Sequence, residues 1–261
     1  MDDTPITADE GLGTPILVIH GGMGDGDAWA PVTDRLRGRF RTVRLLRRQY
    51  RMDLDGPPVT MAQEVERVEA VARTLDRPIL VGHASGGVVA LEALVAHPEL
   101  CAGAVLYEPP VVTGEPLGGP KLAPARAALA AGNQGRALAI FLRDVVEIGR
   151  AMSWMAGLGI GRMPGLRARV VRQLDDNDAI DALGVRLDAY RGVELPVLLI
   201  GGDRSPAHLA RRLDALERAL PHTRRLLMHG QGHGAQSSAP DRVAAAVARF
   251  VDEQVSPRLR S

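Results

Sequence analysis

The sequence predicts an α/β protein built on a doubly wound, mostly parallel sheet. Short and nearly continuous apolar runs recur along the chain, longer helical patterns separate them, and glycine-rich turns follow several of them. Runs that are apolar throughout are typical of strands covered on both faces. Because strands that alternate with helices become parallel neighbours, we expect one sheet with helices on both sides.

Six apolar runs are predicted to be strands. They cover residues 16–19, 41–46, 78–82, 104–107, 196–201 and 225–228. Between them, residues 61–74 repeat apolar side chains at helical spacing, and residues 86–96 form a mostly apolar helix of the kind found at the centre of a fold. Another helix is predicted to begin at Ser205 and Pro206, a common N-terminal pair.

Residues 111–192 interrupt the alternation of strands and helices. Glycine and proline concentrate over residues 113–124, and helical patterns follow without a convincing strand. We expect an inserted helical cap here, which is not an independent domain. Residues 1–110 and 193–261 then form one core, and a length of 261 residues suits a single domain of this kind.

Composition argues against several classes of partner. The formal net charge is +1, so no global field attracts nucleic acid or an anionic membrane. The only cysteine is Cys101, which excludes an intrachain disulfide. No secretory signal or membrane span is recognisable, and arginine outnumbers lysine as in GC-rich genomes. A bacterial cytoplasmic protein is expected, and its oligomeric state is not indicated.

The most informative segment is residues 81–87, Val-Gly-His-Ala-Ser-Gly-Gly, between a predicted strand and a predicted helix. A nucleophile elbow turns so tightly that the residues two before and two after the nucleophile must be very small. Glycines occupy both places around Ala84. The alternative register, centred on Ser85, puts the bulky His83 two residues before the nucleophile. We therefore favour Ala84 as the nucleophile position, although alanine has no hydroxyl.

A second glycine-rich turn, His-Gly-Gly-Met at residues 20–23, follows the first predicted strand. The backbone N–H of Gly22 is expected to be one oxyanion donor, and that of Ser85 the other. Such donors stabilise the negative charge that develops on a carbonyl oxygen during acyl transfer. His20 is expected to brace the turn rather than to catalyse.

A general base is predicted at His233, in a glycine-rich turn between the last strand and the last helix. Two residues are candidates for the acid that orients it. Glu108 ends the fourth predicted strand and precedes two prolines, which force an extended exit. Asp203 follows the fifth strand in a Gly-Gly-Asp turn. We favour Glu108 and keep Asp203 as the alternative.

The predicted substrate pocket includes Met23, Trp154 and Met155, because methionine and tryptophan suit an apolar pocket of adaptable shape. The sequence contains no metal-binding cluster, phosphate-binding loop or dinucleotide fingerprint. No metal or cofactor is therefore expected. The expected partner is a small-molecule acyl substrate, with no nucleic acid and no membrane.

The order of elbow, acid, cap and histidine resembles the α/β-hydrolase superfamily over nearly the whole chain. An acid immediately before the cap is similar to the Ser-His-Glu lactonases of the zearalenone type and to thioesterases that release polyether polyketides. The resemblance implies triad positions at Ala84, His233 and Glu108. The chain departs from this pattern in its missing nucleophile and in the short stretch before Ile16, so the leading antiparallel hairpin is expected to be reduced.

These features favour a hydrolase of a small apolar ester, thioester or lactone, using a Ser-His-Glu mechanism, in a form that lacks its nucleophile and is inactive for hydrolysis. Ala84 is either native or a change from serine. One alternative is a nucleophile-free lyase, isomerase or cyclase with His233 as its base. Another is a non-catalytic protein that binds a ligand under the cap.

Overall fold

The computed structural model describes residues 6–54 and 56–255. Seven strands form a single sheet in the order β1-β3-β2-β4-β5-β6-β7. The strands are β1 (Ile6–Glu10), β2 (Pro15–Ile19), β3 (Arg41–Leu45), β4 (Ile79–His83), β5 (Gly103–Tyr107), β6 (Val197–Gly202) and β7 (Thr223–Met228). All neighbouring pairs are parallel except β1 and β3. The predicted fold class is confirmed.

The leading strand β1 was not predicted from the sequence, whereas the expected reduction of the leading antiparallel hairpin agrees with the described residues, in which β1 has no hairpin partner. Ile6–Glu10 forms β1, which pairs antiparallel with β3 and not with its sequence neighbour β2. Its residues alternate between half-buried and exposed positions at the edge of the sheet. An edge strand of this kind lacks the continuous apolar run that marks the buried strands.

Helices cover both faces of the sheet. They are α1 (Ala30–Leu36), α2 (Met61–Ala72), α3 (Ser85–Ala96), α4 (Ala123–Ala130), α5 (Gln134–Asp144), α6 (Arg150–Gly161), α7 (Pro164–Leu183), α8 (Leu187–Tyr190), α9 (Ala207–Ala219), α10 (Ala235–Ser238) and α11 (Pro240–Phe250). Consecutive residues of β2 point to opposite layers: Leu17 joins the core under α2 and α3, whereas Val18 joins the core under α1 and α11. Both apolar layers are therefore built from the same strands.

Several helices begin at residues that favour a helix N-terminus. At the beginning of α2, the Thr60 side chain accepts a hydrogen bond from the Gln63 N–H, and the Gln63 side chain accepts one from the Thr60 N–H. This reciprocal capping box satisfies two N–H groups that the first helical turn leaves free. Proline occupies the first turn of α7 and of α11, where its missing N–H costs nothing.

Between β5 and β6, residues 111–192 hold α4 to α8 and a short turn of 3₁₀ helix at Gly119–Leu122. We call these residues the inserted segment. No strand lies within it, and its longest helix, α7, packs over α2 and α3. The insertion follows β5, so the helices lie at the carboxyl ends of the parallel strands, where ligands bind in open α/β sheets. No helix within residues 6–54 and 56–255 is long and apolar enough to cross a bilayer.

Candidate active site

The turn from β4 into α3 is centred on Ala84, whose backbone has φ +48° and ψ −125°. Non-glycine residues rarely adopt a positive φ, and such strain often marks functional sites. The flanking glycines are required by close backbone contacts. A Cβ atom on Gly82 would lie 2.6 Å from the Cα of Gly87, and one on Gly86 would lie 2.3 Å from carbonyl oxygens at the end of β2. The turn has the geometry expected of a nucleophile elbow.

Ser85, the next residue, is the first residue of α3 and is buried. Its Oγ accepts a hydrogen bond of 2.7 Å from Nη1 of Arg47. The side chain is thus held against the guanidinium of a buried arginine, while its backbone belongs to the helix N-terminus beside the elbow. The sequence register that centres the turn on Ser85 does not match this backbone.

The Arg47 guanidinium belongs to a buried ionic cluster behind Ser85. Two nitrogens of Arg47 contact both carboxylate oxygens of Asp176, at 3.0 and 2.5 Å, and Tyr50 donates to the same carboxylate at 3.0 Å. Glu64 lies 3.6 Å from Arg47. Burial alone would raise the pKa of Asp176, but the guanidinium lowers it overall. Because Asp176 lies on α7, the cluster fastens the inserted segment to the elbow.

The loop after β2 packs directly against the elbow. A Cβ atom on Gly21 would lie 3.0 Å from the Cβ of Ala84. His20 holds the loop: Nδ1 donates to the Gly21 carbonyl at 2.8 Å, and Nε2 accepts from the Arg47 N–H at 3.2 Å. Burial, assisted by the charge of Arg47, lowers the pKa of His20 to about 4. His20 is therefore a neutral brace within the loop.

Of the two candidate acids, Glu108 contacts the histidine. Its Oε2 lies 2.6 Å from Nδ1 of His233, and its Oε1 accepts a hydrogen bond of 2.7 Å from the N–H of Gly202. The carboxylate is 1% exposed, so both oxygens are used within the protein. A short contact of this kind between an imidazole and a buried carboxylate fixes the ring orientation.

Asp203 lies elsewhere. Its carboxylate accepts from the N–H of Gly230 at 2.7 Å and lies 3.2 Å from Nδ1 of His229, an exposed side chain. Asp203 therefore fastens the beginning of the turn that carries His233, without contacting the His233 ring. Asp203, the alternative acid, therefore stabilises the histidine-bearing turn and does not orient the His233 ring.

The backbone at Glu108 differs from the sequence expectation. The two following prolines predicted an extended exit from β5, but Glu108 has φ +46°. Met23, in the loop after β2, has φ +59°. Together with Ala84, three non-glycine residues in the left-handed region thus surround one site. Strain concentrated in this way is typical of positions that the fold holds for function.

The turn that carries His233, residues 229–234, is called the histidine loop here. Nε2 of His83 donates to the His233 carbonyl at 2.9 Å, and the two rings are 4.8 Å apart. The Tyr107 hydroxyl donates to the Gly232 carbonyl. Burial, followed by the nearby charge of His233, lowers the pKa of His83 to about 3. The sequence analysis treated His83 only as a bulky neighbour of the elbow and missed this contact.

A cavity of about 320 Å³ joins these parts. The elbow, the loop after β2 and the histidine loop form one wall, and α5, α7 and α9 supply most of the rest. The lining residues are Gly22, Met23, His83, Ala84, Ser85, Pro110, Leu117, Leu138, Phe141, Leu142, Val145, Val146, Gln173, Asn177, Ile180, His208, Leu209 and His233. The size suits a small-molecule ligand.

Two predicted pocket residues do not line this cavity. Trp154 and Met155 lie on the outer face of α6 and are 63% and 59% exposed. The helix turns its small residues inward: Gly157 packs so closely on α5 that an added Cβ would lie 2.3 Å from the Gly135 carbonyl. His208 was not among the residues predicted to form the site; its ring lines the cavity and donates to the Val146 carbonyl at 2.9 Å.

Among residues 6–54 and 56–255, no group of three or more His, Cys, Asp or Glu side chains is placed to hold a metal ion. Cys101 is buried, and burial raises the pKa of its thiol to about 12. A thiol with such a pKa remains protonated and unreactive near neutral pH.

Residues 16–246 match the alpha/beta hydrolase family. A 2-(acetamidomethylene)succinate hydrolase of Mesorhizobium japonicum is 27% identical over 94% of this chain and 90% of its own length. A Mycobacterium tuberculosis protein that carries the name non-heme bromoperoxidase BpoC is 30% identical over 93% of this chain and 95% of its own. An alpha/beta hydrolase from Sphaerobacter thermophilus superposes with a TM-score of 0.80, at 23% identity, over 93% of this chain and 94% of that one. The chain belongs to the alpha/beta hydrolase family.

Proposed function

We propose that this chain has the machinery of a Ser-His-Glu acyl hydrolase in which residue 84, the nucleophile position, is alanine. The contact between His233 and Glu108 carries the proposal. Because Nδ1 of His233 faces the buried carboxylate at 2.6 Å, Nε2 remains as the basic nitrogen. His233 and Ala84 line the same cavity, so this nitrogen can accept a proton from a group at residue 84 or from a bound ligand.

The expected chemistry follows from the positions of these groups. A serine hydroxyl at residue 84 would attack the carbonyl carbon of the substrate while His233 takes its proton and later returns it to the leaving group. Glu108 would stabilise the imidazolium that forms. The N–H groups of Gly22 and Ser85 would bind the oxyanion. With alanine at residue 84, the chain should bind its substrate and scarcely hydrolyse it.

The cavity favours a neutral, apolar acyl group. Eleven of its lining residues are apolar, and no lysine or arginine is among the lining residues in the described part of the chain. Gln173 and Asn177 offer uncharged polar groups from α7. A carboxylate-bearing substrate, such as the succinate in the name of the Mesorhizobium relative, would lack a cationic partner here. Small apolar esters, thioesters and lactones fit better.

The test is to make Ala84→Ser and measure turnover on a panel of aryl esters, acyl thioesters and lactones. We expect kcat to rise by a factor on the order of 10⁶, because this is the loss when a serine hydrolase loses its nucleophile. Binding of a slowly reacting substrate should be little changed, since the substitution adds one oxygen and leaves the elbow backbone alone.

A matched control removes the neighbouring hydroxyl. Ala84→Ser combined with Ser85→Ala should keep most of the gained activity, because only the backbone N–H of residue 85 is assigned a role in catalysis and its Oγ contacts Arg47 instead. If Ala84→Ser is inert on the whole panel, a nucleophile-free reaction with His233 as base, or a binding protein, becomes the better proposal. If the unmodified chain turns over esters at ordinary enzyme rates, Ser85 is the nucleophile.

A further inference from the structure

Helix α6 exposes apolar side chains where a surface helix normally exposes polar ones. Its outward face carries Met152, Trp154, Met155 and Leu158, all at least 43% exposed. At about 100° per residue, these four side chains fall within an arc of about 160° on the side of α6 turned away from Ser153 and Gly157, and we call this side the α6 face. Exposed apolar surface of this kind marks an interaction site.

The orientation of α6 is fixed by close packing. Ser153 and Gly157 are buried, and Gly157 packs against α5. The added Cβ at Gly157 would also meet the Cβ of Ala139 at 2.9 Å. A rotation that buried Trp154 would bring larger side chains into this contact. The apolar residues of the α6 face are therefore held outward by the packing of the helix.

The surroundings of the α6 face are basic. Within residues 148–163 the only charged residues are Arg150 and Arg162. Arg150 and Arg162 are exposed at the two ends of α6. Arg136 and Arg162 line a surface groove beside Trp154, and no carboxylate is among the described residues that line it. Asp144 and Glu147 precede α6, but Arg143 contacts Asp144 and Lys121 lies 3.9 Å from Glu147, so each of these carboxylates has a cation of its own.

We propose that the α6 face docks on the surface of an anionic lipid bilayer. Met152, Trp154 and Met155 would enter the boundary between headgroups and acyl chains, and the flanking arginines would pair with lipid phosphates. A helix with tryptophan and other large apolar residues on one face and arginine around it is typical of such interfacial binding. The helix would lie on the bilayer and not cross it.

The charges favour a lipid surface over a second copy of the chain. A symmetric contact between two α6 faces would bring the same arginines of both copies together. Residues 150–162 offer no carboxylate to offset that repulsion. An anionic bilayer instead supplies a complementary charge to Arg136, Arg150 and Arg162.

Intrinsic fluorescence gives a direct test, because the chain has only two tryptophans and Trp29 is 1% exposed. Vesicles that contain phosphatidylglycerol should shift the Trp154 emission to shorter wavelength and should sediment with the protein. Pure phosphatidylcholine vesicles should do neither, and high salt should release the protein. Trp154→Phe should abolish the shift while leaving most of the sedimentation.

Two variants test whether binding depends on the α6 face or on any exposed apolar side chain. Met155→Glu should abolish sedimentation with anionic vesicles, whereas Leu12→Glu, at a residue 85% exposed outside the face, should leave it unchanged. Arg150→Gln and Arg162→Gln should each weaken binding about fivefold. Circular dichroism should be the same for all variants, because each replaces an exposed side chain.

Two results would overturn the proposal. One is the failure of the unmodified chain to sediment with, or shift its emission on, phosphatidylglycerol vesicles at low salt. The other is a dimer in analytical ultracentrifugation that Met155→Glu dissociates, which would make the α6 face an interface between two copies. Neither result depends on turnover, so the test stands apart from the proposed hydrolase chemistry.

Discussion

On the histidine side of the candidate site, the His233 ring is oriented by a buried carboxylate, whereas the elbow side keeps its backbone geometry and lacks a reactive atom. The Glu108 carboxylate contacts both His233 and Gly202. Ala84 adopts the strained turn conformation, but its side chain ends at Cβ. The elbow depends on flanking glycines and backbone contacts, which a serine or an alanine satisfies equally. The chemistry of residue 84 can therefore change without altering the geometry around it.

The largest expected effect tests the histidine side. In an Ala84→Ser background, Glu108→Gln should lower kcat by about 10⁴-fold, because the amide no longer holds the imidazole in the required tautomer. Asp203→Asn should lower it by less than about tenfold, since Asp203 contacts Gly230 and His229 instead. Measuring kcat for both variants on one aryl ester distinguishes the two acids, and a larger loss for Asp203→Asn would reverse the assignment.

The next effect concerns the buried cluster on the elbow side. Asp176→Ala should lower the free energy of unfolding by about 3–5 kcal/mol, because it leaves the fully buried Arg47 without its main partner. Asp178→Ala is a matched control on the same helix. Asp178 is 54% exposed in its ion pair with Arg126, so about 1 kcal/mol or less is expected. Urea unfolding monitored by circular dichroism measures both values.

Similar losses for Asp176→Ala and Asp178→Ala would show that Arg47 does not need Asp176. The elbow side would then be held by its glycine contacts alone. If Asp176→Ala strongly lowers the free energy of unfolding but the variant still binds ligand normally at lower temperature, the cluster stabilises the fold and does not take part in ligand recognition.

A smaller effect should appear in the pH dependence of stability. His20 braces the elbow side and His83 the histidine side, and burial lowers their pKa values to about 4 and about 3. In the unfolded chain both rings take up a proton near pH 6.5, whereas in the folded protein they remain neutral. Stability from these groups is therefore present above pH 6.5 and is lost as the pH falls toward the folded pKa values.

Between pH 7 and pH 5, each histidine should lower the free energy of unfolding by about 2 kcal/mol. Urea titrations at several pH values measure the slope. A free energy that is flat over this range would mean that both rings take up protons in the folded protein as they do in the unfolded chain. For His20 this is incompatible with Nε2 accepting a hydrogen bond from the Arg47 N–H.

The sequence was most informative where the structure depends on residues that are close together along the chain. Gly82 and Gly86 revealed the elbow because a tight turn requires small residues at fixed spacing, and buried strands β2 to β6 appeared as apolar runs. The edge strand β7 was predicted from its Leu-Leu-Met run, although half of its residues are exposed. β1 was missed because this half-exposed edge strand has no such run. Glu108 was favoured over Asp203 because of the two prolines that follow it, and Glu108 does contact His233, although its left-handed backbone was not predicted.

Contacts between residues that are far apart along the chain could not be predicted from the sequence. Arg47 and Asp176 are 129 residues apart, and nothing local pairs them. Trp154 and Met155 were placed in the pocket because they are apolar, but the small residues of α6 decide which face is buried. His208 was overlooked because only the packing of α9 brings it to the cavity.

The proposal that residue 84 is the nucleophile position of an otherwise complete site is tested most directly by fluorophosphonate labelling followed by intact-mass and peptide mass spectrometry. The Ala84→Ser protein should gain one phosphonyl group, located on residue 84, and Ala84→Ser combined with His233→Ala should react far more slowly. The unmodified chain should gain none. An unlabelled Ala84→Ser protein, or a phosphonyl group on Ser85 of the unmodified chain, would contradict the proposal.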